Sequence, residues 1–263
     1  MPTRIQWADE VWNIVTGCTP VSEACDRCYA RRMATRLRGR YGYPADEPFR
    51  VTLHHDKLNA PLKWRQPRHI FVSSMGDFFH PDVPVAFQAE ALRIIDKCPQ
   101  HTFLFLTKRP EQMRMFEQTC GGLNRPNVWL GVTAENQPRA DERIPILLSI
   151  PAALHFVSVE PMLGPVDLSR HLNWQQVSSI WTGTLANGVQ AIIFDPLRPL
   201  DWVICGGETG PGARLMLEDW AVALKDQCAT AGVPFFFKSM GTNPYAHLWS
   251  GLCREFPRER GMT

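Results

Sequence analysis

The sequence predicts an α/β fold in which parallel strands and helices alternate in a barrel-like arrangement. Two observations carry this. Short apolar runs alternate with helical patterns along much of the 263 residues, as expected of strands covered by helices on both faces. Each run also ends in polar or charged residues: Asp77, Lys108 with Arg109, Glu135, Glu160, Glu208 and Lys238. A barrel gathers its strand C-termini at one mouth, where chemistry sits. An open doubly wound sheet also uses its strand ends, but seven strand candidates favour the barrel. The whole chain, 1–263, reads as one domain with an insertion at 165–200.

Residues 5–17 form the first strand region, closing at a turn on Gly17. A cysteine-containing loop follows, then a helix from Tyr29 to Arg40. Ala30, Met33, Ala34 and Leu37 fall at i, i+3, i+4 and i+7, a buried stripe. Arg31, Arg32, Arg36 and Arg38 lie off it, as a solvated face or as a contact for a phosphate backbone or an acidic partner. Residues 41–68 are irregular and hold four prolines. Within them His54 and His55 are neighbours, which on a strand point to opposite faces and suit hydrogen bonding better than one shared metal.

The strand–helix rhythm starts with the run His69 to Asp77 and a helix from Val85 to Cys98. Next come Thr102 to Pro110 with a helix Glu111–Thr119, and Asn127 to Asn136 with a helix Arg139–Ser149. Ala153 to Pro161 is the fourth run. The rhythm breaks at 165–200, where two β-prone runs flank Ala186-Asn-Gly188. They suggest a β-hairpin near 175–196 in place of a crossover helix. Leu200 to Glu208 resumes the pattern. A helix from Glu218 to Ala231 carries Gly232 at its C-terminal cap position, and Val233 to Lys238 is the last strand.

The chain is 44% hydrophobic, enough for a sizeable core, and its net charge of +2 neither demands nor excludes a nucleic-acid partner. No run approaches the 18 apolar residues of a membrane span, and Met1 to Trp7 lacks an apolar signal core. The cysteines show no disulfide-scaffold pattern, so a reducing, cytoplasmic setting is expected.

Three of the eight cysteines, Cys18, Cys25 and Cys28, fall in a C-x6-C-x2-C loop; Cys98, Cys120, Cys205, Cys228 and Cys253 are scattered singly. The loop follows the first strand and so faces the mouth. Three thiolates there can hold a metal or an iron–sulfur cluster with one coordination position open. Three readings stand on these residues. One is a catalytic iron–sulfur cluster. Another is a zinc site completed by His54, His55 or His80, stabilising a nucleic-acid-binding or interaction module without catalysis. The third is a metal-free glycosidase or aldolase-like barrel using Glu160, Glu208 and Lys238.

The three cysteines followed by Tyr29 resemble the radical S-adenosylmethionine enzymes, whose more usual spacing is C-x3-C-x2-C; the first gap here is three residues longer. A closer resemblance spans nearly the whole chain, to the phage-type three-Cys-motif family. Its landmarks are Ile5-Gln-Trp7, Trp12-Asn13, Thr16-Gly17-Cys18, Cys25-Asp-Arg-Cys28-Tyr29-Ala30, Leu106-Thr-Lys108-Arg109-Pro110, Trp129-Leu-Gly-Val132, Ser158-Val-Glu160-Pro161, Gly206-Gly207-Glu208-Thr-Gly210 and Phe235-Phe-Phe-Lys238.

The resemblance implies a partial TIM-like (β/α) barrel and a [4Fe-4S] cluster on Cys18, Cys25 and Cys28. It also implies S-adenosylmethionine on the fourth iron, a 5′-deoxyadenosyl radical acting on an unknown substrate, and a separate partner protein in some relatives. Ser73, Ser74 and Asp77 then approach the methionine amino group, and Lys108 and Arg109 a carboxylate or phosphate. Glu135, Glu160, Glu208 and Lys238 line the cofactor site or form a salt-bridge layer with Lys108. Gly206 and Gly207 allow close backbone approach to a ligand. Trp7 and Trp12 are expected in the core, and Asn13 is expected to orient the loop backbone.

Overall fold

The computed structural model describes residues 3, 5–173, 179–184, 190–195, 199–242 and 253–257. The chain begins with β1 (Glu10–Trp12), β2 (Val15–Thr16), α1 (Tyr29–Arg36) and β3 (Thr52–Leu53). Then follow β4 (His69–Val72), α2 (Val85–Asp96), β5 (Thr102–Thr107), α3 (Pro110–Cys120), β6 (Val128–Thr133), α4 (Gln137–Leu148) and β7 (Leu154–Val159). It continues with α5 (Ser169–Leu172), β8 (Ser179–Thr184), β9 (Gln190–Asp195), β10 (Trp202–Gly206), α6 (Glu218–Ala231) and β11 (Phe235–Ser239).

Seven strands pair in parallel, in the order β1-β4-β5-β6-β7-β10-β11. Spatial order follows chain order throughout, so the sheet winds in one direction and curls into a half-barrel. A doubly wound sheet would reverse its order at a switch point; this one does not. β8 and β9 form a separate antiparallel pair, from Ser179 opposite Asp195 to Thr184 opposite Gln190. The expected hairpin is therefore present, although its turn around Asn187-Gly188 lies outside the described residues.

Three sequence expectations shift. The single strand over residues 5–17 divides into β1, in the main sheet, and β2, which pairs antiparallel with β3. The expected helix to Arg40 stops at Arg36, because the chain turns through left-handed backbone at Gly39, Tyr41 and Gly42. Ala30 and Ala34 are buried under it, but Met33 is exposed. Those alanines seat against Tyr43 and Met75, a narrower contact than a four-residue stripe. Asn136, expected at the end of a strand, instead caps α4 and accepts from the Arg139 N–H at 3.1 Å.

The alternation of side chains across each strand builds two apolar layers. Outside, β-strand residues such as Ile70, Phe103, Leu130 and Val203 meet Phe87, Ile95, Met113, Ile144 and Leu224 from the helices. Inside the curl, Phe71, Leu104, Trp129, Phe156, Trp202, Ile204 and Phe236 close around Trp7. Trp7 and Trp12 are both core residues, as expected. The inner layer requires a glycine at one point: a Cβ on Gly131 would lie 2.5 Å from ring carbons of Phe156. Overpacking of this kind costs about 1–3 kcal/mol. Gly131→Ala is therefore expected to lower the urea unfolding midpoint without changing the denaturant slope; an unchanged midpoint would show that the ring has room to move.

Candidate functional site

The cysteine loop is positioned from its first residue. After β1, the Asn13 side-chain oxygen accepts from Ser74 Oγ at 3.1 Å and the Met75 N–H at 3.2 Å, tying the crossing chain to the loop after β4. Gly17 then bridges in parallel to Gly76. Its φ is +83°, and an added Cβ would lie 2.2 Å from the Arg50 carbonyl oxygen, so only glycine fits. Cys18 follows directly, beside the end of β4. A short 3₁₀ turn, Glu23–Cys25, carries the second cysteine, and Cys28 occupies the N-cap position of α1. All three are free and half-buried. Burial and the Asp77 carboxylate push the Cys18 thiol up to about 11, against the opposing pull of Arg109.

One side of the loop is held by a buried knot at the ends of β4 and β5. Arg109 Nη1 donates to Cys18 Sγ and to Asp77 Oδ2, both at 3.1 Å. Its Nη2 donates to the Thr19 carbonyl and to Thr19 Oγ1, both at 2.8 Å. Thr107 Oγ1 lies 2.9 Å from each Asp77 oxygen, and the Phe79 N–H donates to Oδ1 at 3.0 Å. His80 Nε2 lies 2.8 Å from Thr19 Oγ1. Burial and the facing Arg109 lower the His80 pKa, which favours the neutral ring.

The other side is held from β6, α4 and β10. Glu208 receives Arg214 through Nη2 at 2.5 Å, Nε at 3.0 Å and the backbone N–H at 2.8 Å. Arg214 Nη1 then donates to the Glu23 carbonyl at 2.9 Å. The Glu23 carboxylate accepts from Asn136 Nδ2 and from Arg139 Nη2. Arg32, on α1, donates to the Thr209 carbonyl at 2.7 Å. The trio of cysteines thus sits between two sets of arginine contacts.

At the strand ends between these clamps, Lys238 is ion-paired with Glu160 across Gly206, whose missing Cβ would meet both side chains. Both are partly exposed. The Tyr29 ring is half exposed while its hydroxyl turns in to donate to the Ser74 carbonyl. Burial of that hydroxyl, then Cys28 and Glu160, raise its pKa. Ser73 is buried in left-handed backbone, φ +58°, and its hydroxyl has no partner among the described residues.

The residues expected to line the mouth therefore divide. Asp77, Arg109 and Glu208 lie beside the cysteines, but their polar groups are occupied by the chain itself. Glu135 is fully buried against Arg143 at 2.9 Å, with its Oε1 unpartnered among the described residues. Gly207 does permit a close approach, yet what approaches it is the Met240 backbone, 2.4 Å from where a Cβ would sit. Lys108 has no hydrogen bond or ion pair among the described residues and borders a cleft of about 300 Å³ with Val21, Glu111, Glu142 and Arg143. Ser74, Glu160 and Lys238 stay partly exposed, whereas Ser73 and Gly206 are buried beside them. The salt-bridge alternative holds in part: Glu160 pairs with Lys238, but Glu135 and Glu208 pair with arginines.

Sequence reasoning missed Arg214, Arg139, Thr107 and Glu23. An arginine six residues after a strand-end glutamate carries no periodic signal.

The donor set suits the metal readings unequally. Among the described residues, no three His, Cys, Asp or Glu side chains converge as a single ion requires. The histidines offered as a fourth zinc ligand are engaged elsewhere: His54 Nε2 with Thr16 at 2.8 Å, His80 Nε2 with Thr19, and His55 edge-on to Phe87. A cubane cluster asks for something different, one thiolate to each of three irons, and three half-buried thiols spread along one anchored loop fit it.

A family model described as "Protein of unknown function (DUF5131)" matches residues 2–254. No curated protein matches the chain. Among solved structures, spore photoproduct lyase complexed with dinucleoside spore photoproduct superposes with a TM-score of 0.53 at 12% identity, over 90% of this chain and 79% of that one. That likeness is one of fold, and it agrees with the half-barrel described above.

The second clamp has a pH signature. Burial raises the Glu208 pKa, but hydrogen bonds and charge from Arg214 outweigh it, and the net shift is downward from 4.5. A depressed carboxylate contributes stability that is full above its unfolded pKa and lost as pH falls through the folded value. The urea midpoint of the wild type is therefore expected to fall further between about pH 7 and pH 3 than that of Glu208→Gln. Equal falls would show that the Glu208–Arg214 pair does not stabilise the loop.

Proposed function

We propose that this chain, which belongs to the DUF5131 family, is a radical S-adenosylmethionine enzyme in which Cys18, Cys25 and Cys28 hold a [4Fe-4S] cluster. The observation that carries the reading is the loop itself: three free thiols at the strand ends of a half-barrel, anchored on one side by the buried Arg109 and on the other by the partly exposed Arg214. The half-barrel, shared in fold with spore photoproduct lyase, is the architecture that the three-cysteine resemblance implies. When bound, the cluster and S-adenosylmethionine together supply reductive cleavage to a 5′-deoxyadenosyl radical that takes a hydrogen atom from a substrate.

The protein's part is placement and exclusion of water. Asp77, Arg109, Thr107, Glu208 and Arg214 fix the loop. The groups left to meet S-adenosylmethionine or substrate are Ser73, with its unpartnered hydroxyl, Ser74, Lys108, Gly206 and the Glu160–Lys238 pair. That pair offers an acceptor and a donor side by side to an incoming polar group. The aldolase- or glycosidase-like reading is less well supported. Glu208 gives both oxygens to Arg214, and the Lys238 nitrogen is already paired with Glu160, whereas imine chemistry needs that nitrogen as the nucleophile.

A nucleic acid is the partner we propose. Tyr41 is 76% exposed on the left-handed turn after α1. Arg36, Arg38 and Arg40 precede it in the chain; Arg40 donates to the Arg36 carbonyl, and Arg36 has no side-chain partner among the described residues. Arg31 lies over Phe49, and Arg32 and Arg38 donate to backbone carbonyls. An exposed ring among arginines suits base stacking beside phosphates, and the fold neighbour's bound dinucleoside is a ligand of that chemistry.

Anaerobic reconstitution with iron and sulfide is expected to give a broad brown absorbance that the Cys18→Ala, Cys25→Ala, Cys28→Ala triple variant lacks. With dithionite and S-adenosylmethionine, the brown protein is expected to form 5′-deoxyadenosine. A colourless protein carrying stoichiometric zinc would contradict the proposal. Fluorescence anisotropy with a single-stranded oligonucleotide is expected to show affinity falling steeply with salt and weakening in Arg36→Ala and Tyr41→Ala. Salt-independent or absent binding would remove the nucleic-acid partner.

A further inference from the structure

We propose that Arg109 is a positioning residue that sets the reduction potential of the cluster through Cys18, in opposition to Asp77; this rests on the iron–sulfur reading above. Arg109 is the N-cap residue of α3, immediately before Pro110. A residue before proline is kept out of helical backbone, and Arg109 has φ −124°, ψ 63°. Its side chain leaves the helix start and runs to the cysteine loop, where it is 8% exposed.

The three cysteines are not equivalent in this setting. Cys18 Sγ accepts from Arg109 Nη1 at 3.1 Å. Cys25 Sγ has only the Ser22 hydroxyl at 3.9 Å, and Cys28 Sγ has no hydrogen-bond partner among the described residues. One ligand sulfur of three is therefore held by a cationic donor. Hydrogen bonds and positive charge at a cluster sulfur stabilise the more negative, reduced state and raise its potential.

The same nitrogen that reaches Cys18 also reaches Asp77 Oδ2 at 3.1 Å, and Asp77 is only 7% exposed. The carboxylate thus offsets part of the arginine's charge at the sulfur. Thr107 braces both Asp77 oxygens and accepts the Arg109 backbone N–H at 2.9 Å. Removing the arginine and removing the carboxylate's charge must therefore move the potential in opposite directions. A purely structural role for the knot would have no such sign.

The test uses full-length protein reconstituted anaerobically with iron and sulfide, without S-adenosylmethionine, and titrated potentiometrically with dithionite while its visible absorbance and electron paramagnetic resonance are followed. Arg109→Gln is expected to shift the potential negative, Asp77→Asn to shift it positive, and Arg109→Lys, which keeps the charge, to lie between Arg109→Gln and the wild type. If Arg109→Gln does not hold its iron, Asp77→Asn decides: a positive shift supports the proposal, and a negative or absent shift overturns it. Equal potentials in all variants at equal iron content overturn it while leaving the iron–sulfur reading standing. Wild-type protein that takes up no cluster overturns both.

Discussion

A guanidinium taken out of water must have its donors met, because an uncompensated buried charge costs several kcal/mol. Arg109 meets that condition with Asp77, with both oxygens of Thr19 and with Cys18. The loop after β4, the end of β5 and the first cysteine are fixed relative to one another by one side chain. Glu208 and Arg214 repeat the device on the far side of the loop.

These clamps depend on the sheet. Strands in chain order carry their ends round one arc, so β4, β5, β6 and β10 each deliver a charged or polar group to the same loop. The aromatic inner layer around Trp7, Phe156 and Trp202 fills the curl beneath. Above it the strand ends carry Gly206 and the partly exposed Glu160–Lys238 pair in place of aromatic rings.

The half-barrel was legible because each strand is an apolar run with a polar end, and because the hairpin interrupts that rhythm where a helix was due. The position of the cysteine loop followed from the same pattern. The allocation of the charged strand ends was not legible. Asp77, Glu135 and Glu208 look alike in sequence, each closing a strand, but their partners Arg109, Arg143 and Arg214 come from turns and helices whose placement depends on tertiary packing. Glycines misled in a similar way. Gly207 signals close approach, and only the folded chain shows that Met240 is what comes close. The break in α1 was written at Gly39 and Gly42 but lost beneath the helical stripe of Ala30, Met33, Ala34 and Leu37.

Three cysteine ligands on a four-iron cluster would leave one iron open to a small molecule. Mössbauer spectroscopy of iron-57-loaded protein, recorded before and after adding S-adenosylmethionine, tests it most directly. One iron in about four is expected to change its signal while the rest stay as they were. Iron sites that all respond alike, or protein that holds no cluster iron, would contradict it.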